Sequence, residues 1–203
     1  MNYFKLAFCI LSFLSVGLLV YSQSDSVGTF SCYNIKSCKV IYKFFDGIRR
    51  GEKIVIFDDS GVYEKEIVIA HLVSDSIMED SPAASFIKKD INMIAIKTPQ
   101  SILTVDIDTK RGSKQDRRPL PFGKDFFTPD KKVIGSDTIL GRRCEIIEYT
   151  KAYKVWYWKG IALKKEMVVD GIIIQECAIS IDESYSIKKD EFNVPKDVVW
   201  QNQ

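Results

Sequence analysis

The sequence predicts a mainly β protein, built as a single strongly curved antiparallel sheet that forms an open half-barrel. One or a few short helices and a long loop rich in proline and phenylalanine are expected beside the sheet. About nine or ten short runs of β-branched and aromatic residues follow one another, and turn residues separate them at hairpin spacing. Neighbouring runs of this kind pair as a meander, and a meander of so many strands curls on itself.

Composition and charge favour one domain. The chain has 203 residues, of which 46% are hydrophobic and 28% are charged, which suits a globular unit that buries its own core. The 29 Lys and Arg residues against 27 Asp and Glu residues give a net charge of +2. No strong field therefore steers the chain towards nucleic acid or an anionic membrane, and nucleic-acid binding is set aside.

Residues 1–22 have the pattern of a secretory signal peptide, and residues 23–203 then form the single domain. One positive charge at Lys5 precedes an apolar run from Leu6 to Val20, which is shorter than the roughly 20 residues of a spanning helix. Val20 and Ser22 offer apolar or small side chains where a signal peptidase cleaves. An uncleaved anchor is the alternative. Cleavage predicts a mature protein outside the cytoplasm, without an integral membrane span.

The domain contains four cysteines, which an oxidising compartment would allow to pair in three ways. Cys144 and Cys177 are expected on strands three apart, roughly 14 Å from each other, which exceeds the reach of a disulfide. Cys32 and Cys38 are the easier pair, provided that the chain turns between them. Small buried thiols are the alternative.

The first half of the domain reads as hairpins followed by a less regular region. Strands are predicted over Lys39–Phe45, Lys53–Phe57, Val62–Leu72, Asn92–Lys97 and Ser101–Asp108. Asp46-Gly47 together with Gly51 predicts a turn or a bulged hairpin loop between the first two strands. Ser81-Pro82 predicts a helix start, with a short helix over Ala83–Lys89.

Residues 109–132 are the longest predicted irregular segment. Loops of this length inside a compact domain tend to be functional lids or partly ordered excursions. Phe122, Phe126 and Phe127 are the candidate lid residues over an open face of the sheet. A solvated connection, held down by its phenylalanines, is the alternative.

The densest strand region covers residues 135–182. Its short runs are separated by turn chemistry, at Leu140-Gly141, Thr150–Ala152, Lys159-Gly160 and Asp170-Gly171. Strand alternation in the central run puts Val155 and Tyr157 on one face and Trp156 and Trp158 on the other. Both faces therefore carry large aromatics. A sheet packed on both sides and a face that lines an apolar cavity are both compatible with this pattern.

Catalytic motifs do not emerge from the sequence. His71, the only histidine, lies mid-strand in an apolar pattern and outside any G-x-S-x-G motif, which favours a structural role. Asp106 and Asp108 would share a strand face, but acid pairs are common at strand ends and turns. No phosphate-cradling glycine loop, dinucleotide fingerprint or zinc spacing is present. The sequence predicts a protein that is not an enzyme and that carries no metal or cofactor.

Several stretches resemble the bacterial outer-membrane lipoprotein carrier and sorting superfamily (LolA/LolB-like), and within it the uncharacterised members of Bacteroidetes-type bacteria. These stretches are Lys53–Gly61, Ile134–Asp137, Ile139–Glu145, Val155–Lys164 and Phe192–Val198. The resemblance implies an unclosed bent sheet whose concave apolar face, lidded by short helices and loops, holds lipoprotein acyl chains. It also implies an arginine that controls the lid. Arg49 and Arg50 are candidates by position near an early turn, but their default interpretation is a solvated hairpin tip.

The expected function is that of an extracytoplasmic, non-catalytic binding protein for a lipid or for lipoprotein acyl chains, in the periplasm of a diderm bacterium. A carrier or sorting role is implied by the resemblance. Large side chains at predicted strand or helix positions are the candidate lining of the cavity: Tyr42, Phe44, Phe57, Phe86, Trp156 and Trp158. The alternative is a structural or protein-interaction module of the envelope with an ordinary packed core. A hydrolase that uses His71 or the Asp106/Asp108 pair is the third hypothesis.

Overall fold

The computed structural model describes residues 33–73, 88–117 and 132–201, and in this part of the chain the fold is one twelve-stranded sheet. The strands are β1 (Cys38–Phe45), β2 (Arg49–Asp58), β3 (Tyr63–Leu72), β4 (Ile91–Lys97), β5 (Ser101–Asp106), β6 (Arg111–Asp116), β7 (Lys132–Ile139), β8 (Arg142–Thr150), β9 (Tyr153–Trp158), β10 (Ile161–Val169), β11 (Ile172–Asp182) and β12 (Val199–Gln201). A 3-10 turn, Asp59–Gly61, joins β2 to β3.

Two antiparallel meanders make up the sheet. Strands β1 to β6 form the first and β7 to β11 the second, and the antiparallel pairing of β1 with β11 joins them. The spatial order is β12-β6-β5-β4-β3-β2-β1-β11-β10-β9-β8-β7, so β12 and β7 are the two end strands and the sheet is not closed into a barrel. The predicted fold class is confirmed.

Three hairpins of the second meander use the turn chemistry that their sequences predict. Leu140-Gly141, Lys159-Gly160 and Asp170-Gly171 each have positive φ at both residues. Two consecutive left-handed residues make the type I′ turn, whose twist matches that of the flanking strands. Glycine takes the second position because it adopts positive φ without steric cost.

The sheet bends strongly at one end, which we call the bridged end and which contains the 3-10 turn and the Lys159-Gly160 turn. The first turn follows β2 and the second follows β9. These two strands are four strand spacings apart in the sheet order, so a flat sheet would separate the turns by about 19 Å. The amide of Tyr33 donates to the Ser60 carbonyl at 3.0 Å, and that of Asn34 donates to the Lys159 carbonyl at 2.9 Å. Since neighbouring Cα atoms are about 3.8 Å apart, the two carbonyl oxygens lie within about 10 Å of each other.

Strand alternation defines two faces. The inner face carries Val40 and Tyr42 of β1 and Val55 and Phe57 of β2. Val40 is paired directly with Val55 across the two strands. The outer face of the first meander also buries apolar side chains, such as Ile56 and Ile96. Both faces of this half are therefore covered.

The segment between β11 and β12 crosses that outer face. Lys39 lies over the Tyr185 ring, with 5.3 Å between Nζ and the ring centroid, and the Tyr63 and Phe192 ring centroids are 5.9 Å apart. Glu191 accepts a hydrogen bond from the Tyr185 hydroxyl at 2.9 Å. The crossing ends where β12 pairs in parallel with β6, which extends the sheet at its edge.

Three expectations about elements need correction. Gly51 lies inside β2 rather than in a turn or a bulge, because the hairpin turn is shorter and ends before Arg49. Residues 111–116, predicted to be irregular, form β6. Lys88 and Lys89 are not helical, and the rest of the predicted helix over Ala83–Lys89 lies outside the described residues.

Candidate functional site

The predicted lining residues converge only in part. Tyr42, Phe57 and Trp156 belong to one buried apolar cluster, and Trp158 packs against it. The buried members of this cluster, which we call the inner apolar cluster, are Cys38, Val40, Tyr42, Val55, Phe57, Cys144, Trp156, Ile161, Leu163 and Ala178. Strands from both meanders contribute, so the bend of the sheet brings together residues that are more than 100 positions apart.

Two irregularities between these strands help to join the cluster. The register shifts between Ala162 and Lys164 on β10, and between Ile41 and Tyr42 where β1 faces β11. Each shift inserts an extra residue, which changes the alternation of side chains and increases the local bend. Trp156 consequently shares a cluster with Leu163 and Tyr42 although β9 is three strands from β1.

The other predicted lining residues lie elsewhere. Phe44 packs against a second, smaller cluster that consists of Val68, Ala70 and Ile91. Phe86 lies outside the described residues, as do the candidate lid residues Phe122, Phe126 and Phe127. Their roles stay predictions.

The segment before β1 packs into the inner face at the bridged end. Tyr33 and Ile35 contact the inner apolar cluster, and the Tyr33 ring centroid is 4.1 Å from that of Phe57. The Tyr33 hydroxyl donates to Oε2 of Glu64 at 2.5 Å. An aromatic side chain from outside the sheet thus covers Phe57, whose exposed fraction is 0%.

A group of buried charges lies beside the inner apolar cluster, and we call it the inner charge cluster. Its members are Lys53, Glu64, Lys97, Lys165 and Glu176, whose side chains are 6% to 12% exposed. Lys53 donates to Oε2 of Glu176, and its Nζ lies 4.7 Å from the centroid of the Tyr42 ring. Lys97 donates to Oε1 of Glu64 at 2.5 Å. Three cations and two carboxylates therefore share the interior.

Glu176 is the centre of this cluster. Its Oε1 lies 3.2 Å from Nζ of Lys165, an ion pair that lacks the alignment of a hydrogen bond. Burial alone would raise the pKa of Glu176, but Lys165 and Lys53 outweigh burial and lower that pKa to about 2. The pKa of Glu64 is likewise lowered, because Lys97 and the Tyr33 hydroxyl overcome its burial. Burial and Glu176 raise the pKa of Tyr42. The two carboxylates are ionised at neutral pH.

A group of tyrosines adjoins the inner charge cluster on β8 and β9. The hydroxyls of Tyr149 and Tyr157 are 3.0 Å apart, and the ring centroids of Tyr149 and Tyr153 are 5.4 Å apart. Burial raises the pKa of Tyr157 to about 12, and burial together with Tyr149 and Glu176 raises that of Tyr153. The hydroxyls of Tyr153 and Tyr157 are therefore protonated at neutral pH.

Sequence reasoning missed the inner charge cluster. One signal was available, since alternation through β2 places Lys53 on the same face as Val55 and Phe57. The partner carboxylate, Glu176, lies 123 residues further along the chain, and only the β1–β11 pairing brings it close.

The arginine expected at a solvated hairpin tip is buried instead. Arg49 is 5% exposed, and its Nε donates to Oδ2 of Asp46 at 2.8 Å. Its Nη1 also donates to the Lys88 carbonyl at 3.1 Å. Arg50 is exposed, with its guanidinium 5.7 Å from the centroid of the Phe45 ring. Arg49 therefore ties the first hairpin to the residues that precede β4.

The cysteines of the described part are free thiols. Cys38 and Cys144 are buried and Cys177 is partly exposed. Cys32, the predicted partner of Cys38, lies outside the described residues, so this pairing stays a prediction. Burial raises the pKa of Cys38 to about 11, which keeps this thiol protonated.

The groups considered for hydrolysis each contact other charged side chains and are at least partly exposed. His71 is exposed, and its Nδ1 lies 3.0 Å from Oδ1 of Asp90. Lys88 contacts both Asp106, at 2.7 Å, and Asp108, at 3.4 Å. Across residues 33–73, 88–117 and 132–201, no three His, Cys, Asp or Glu side chains are placed to hold a metal ion. The same ranges contain no helix with the length and apolarity needed to cross a membrane.

Comparisons with known proteins support the fold only. No family model matches the sequence, and no curated protein does. An uncharacterised conserved protein from Thermus thermophilus matches in structure with a TM-score of 0.53 at 9% sequence identity, over 96% of this chain and 99% of that one. MucB matches with a TM-score of 0.45 at 8% identity, over 82% of this chain and 60% of MucB.

Proposed function

We propose that this chain is a non-catalytic, extracytoplasmic binding protein for a lipid or for the acyl chains of a lipoprotein. The observation that carries the proposal is the inner apolar cluster, in which Tyr42, Phe57 and Trp156 meet on an open, bent sheet. Aromatic side chains with polar tips suit the lining of a site for acyl chains. A carrier or sorting role in the periplasm, between envelope partners, is the finer form of the same proposal.

Native mass spectrometry tests the proposal first. The mature protein is expressed into a periplasm and purified without detergent, and we expect an adduct of phospholipid or acyl-chain size that organic solvent releases. The stripped protein should then take up a fluorescent fatty acid. A clean apo mass together with no uptake would contradict the proposal.

A matched pair of tryptophan variants then tests the place of binding. Trp156→Leu removes an indole from the inner apolar cluster, whereas Trp200→Leu removes one from the edge strand β12, where it is 41% exposed. We expect Trp156→Leu to weaken fatty-acid binding about tenfold, because a loss of about 1.4 kcal/mol of apolar contact corresponds to a tenfold lower affinity. Trp200→Leu should leave uptake unchanged. Equal effects of the two variants would place the ligand elsewhere.

The second candidate is an envelope interaction module with an ordinary packed core. Phe57 and Leu163 are both 0% exposed, which is what a filled core would show. Deletion of residues 119–127, which lie outside the described residues, discriminates the two candidates. Loss of partner capture with lipid uptake intact would favour the interaction module.

The hydrolase hypothesis has its own test. It requires an activity that His71→Asn or loss of the Asp106/Asp108 pair abolishes without a change in melting temperature. We expect no such activity, since Lys88 and Asp90 already engage these groups.

A further inference from the structure

The buried side chains of the inner apolar cluster leave a ligand little surface to contact. Val40, Phe57 and Leu163 are each 0% exposed. Because protein interiors are close-packed, an acyl chain reaches such side chains only if a group that covers them moves away. Lipid binding at this cluster therefore requires a part of the chain that can leave it.

The segment 33–37, which precedes β1, can move without breaking the sheet. Among the described residues, Tyr33 and Ile35 are the two outside the strands that pack against the inner apolar cluster. The other residues that pack against it lie on strands, and displacing a strand would break the hydrogen bonds of its ladder. Asn34 and Lys36 are exposed, so departure of the segment transfers few apolar side chains to water.

Tyr33 occupies a position in which an acyl chain would contact Phe57. The centroids of the two rings are 4.1 Å apart, a contact that another apolar group can replace. The Tyr33 hydroxyl donates to Oε2 of Glu64, whose side chain is 6% exposed. Glu64 also accepts a hydrogen bond from Lys97 at its other oxygen, Oε1. Departure of Tyr33 would therefore not leave a buried charge without a partner, which is the costly outcome.

Three backbone hydrogen bonds hold the segment at the bridged end. The amides of Tyr33 and Asn34 donate to the carbonyls of Ser60 and Lys159, and the Ser60 amide donates to the Lys36 carbonyl at 2.8 Å. Ser60 is partly exposed and Lys159 is exposed, and both lie in turns. Water can therefore replace these partners, and the net cost of each exchange is small.

We propose that the segment 33–37 is an intramolecular plug. In the ligand-free protein, Tyr33 and Ile35 cover the inner apolar cluster, and an acyl chain displaces them when it binds. The inference rests on the proposed function and adds an autoinhibitory contact to it. Because the plugged form does not bind, the apparent affinity is reduced by the fraction of molecules in which the plug is open.

Affinity measurements on Tyr33 variants test the plug. The stripped mature protein is titrated with a fluorescent fatty acid below its critical micelle concentration. We expect Tyr33→Ala to bind about tenfold to a hundredfold more tightly than the wild type, because the ring and the bond to Glu64 no longer compete with the ligand. Tyr33→Phe keeps the ring and loses the hydroxyl, so it should bind about fivefold more tightly.

Tyr63→Ala is the matched control for these variants. The Tyr63 ring contacts that of Phe192 on the outer face, with 5.9 Å between the centroids. Tyr63→Ala therefore also removes a tyrosine from an aromatic contact, but it leaves the inner apolar cluster covered. It should bind the fatty acid as the wild type does.

Hydrogen exchange of the wild type tests the displacement itself. Ligand binding to a folded protein ordinarily stabilises it and slows amide exchange. Saturation with the fatty acid should instead accelerate exchange at the amides of Asn34 and Ser60, because the plug carries one partner of each hydrogen bond away. The Val73 amide donates to the Ile48 carbonyl at 2.9 Å at the other end of β2, and its exchange should not be accelerated.

The outcomes separate the plug from the proposed function. Unchanged or weaker binding by Tyr33→Ala would overturn the plug and leave lipid binding standing. Unchanged or slower exchange at Asn34 and Ser60 in the saturated wild type would do the same. If neither the wild type nor Tyr33→Ala binds the fatty acid, the proposed function itself fails. Should Tyr33→Ala not fold, Tyr33→Phe and the exchange measurement still decide.

Discussion

Glu176 illustrates how one residue connects the two meanders, since it lies on β11 and binds lysines from β2 and β10. Its pKa is lowered to about 2 from an ordinary value of 4.5. A carboxyl whose folded pKa lies below its unfolded pKa contributes stability above the unfolded value, and that contribution is lost as the pH falls through the folded value. We therefore expect the free energy of unfolding to decline between about pH 4.5 and pH 2, by about 3 kcal/mol from this group.

Urea denaturation of Glu176→Gln as a function of pH checks this expectation. The variant leaves Lys53 and Lys165 buried without their carboxylate, which should cost about 3–5 kcal/mol at pH 7 and flatten the acid decline. Glu166→Gln is the control, because Glu166 is partly exposed and pairs with Lys164 at 3.0 Å, so its loss should cost less than about 1 kcal/mol. A variant as stable as the wild type at pH 7 would show that the carboxylate does not hold the lysines.

Strand alternation predicted which residues share a face of the sheet, but not which distant strands meet. Alternation predicts that Val55 and Phe57 share a face, and they do. Alternation says nothing about which distant strand faces them, so the contact between Lys53 and Glu176 could not be predicted. Exposure of Arg49 was predicted wrongly for a related reason, since its guanidinium binds Asp46 within the turn and also the carbonyl of Lys88, which lies 39 residues further along the chain.

At the scale of the element, local chemistry predicted most hairpins. Gly at the second position of Leu140-Gly141, Lys159-Gly160 and Asp170-Gly171 is a short-range signal, and each turn formed where it was expected. Strand β6 was missed because its residues, RGSKQD, lack an apolar pattern. It is a strand because β5 and β12 pair with it, and such pairing is not visible in its own sequence.

Gly51 is the element-scale test, because β2 and β3 pack closely at this residue. A Cβ added to Gly51 would lie 2.3 Å from the Ile69 carbonyl oxygen and 2.6 Å from Cβ of Ala70. We expect Gly51→Ala to lower the free energy of unfolding by about 2 kcal/mol or more, because the backbone of β3 must shift.

Gly135→Ala is the matched control for this change. Gly135 also lies in a strand with an ordinary φ, but its added Cβ would meet nothing nearer than Cδ1 of Ile146 at 3.8 Å. Gly135→Ala should leave the free energy of unfolding unchanged or raise it by about 0.5 kcal/mol, because alanine lowers the entropy of the unfolded chain. Equal melting temperatures for the two variants would show that β2 and β3 tolerate a wider separation.

At the scale of the whole molecule, the number of strands predicted the bend of the sheet but not the contacts that hold it. The bridge from Tyr33 and Asn34 to Ser60 and Lys159 uses backbone groups, which any sequence possesses. Its side-chain contribution, the Tyr33 hydroxyl on Glu64, depends on a carboxylate that the pairing of β2 with β3 places beside Phe57. The contacts that hold the bent sheet therefore arise only in the assembled fold and could not be predicted from the sequence.

Removal of one backbone donor tests whether this bridge holds the bend. Asn34→Pro deletes the N–H that binds the Lys159 carbonyl, whereas Asn34→Ala retains it. We expect Asn34→Pro to cost about 1–3 kcal/mol, to raise amide exchange at Tyr33 and Ser60, and to enlarge the radius of gyration in X-ray scattering, since the two turns are free to separate. Asn34→Ala should match the wild type in all three measurements. If the proline variant also matches it, the register shifts in β10 and β11 are sufficient to bend the sheet, and the segment before β1 merely covers a shape that already exists.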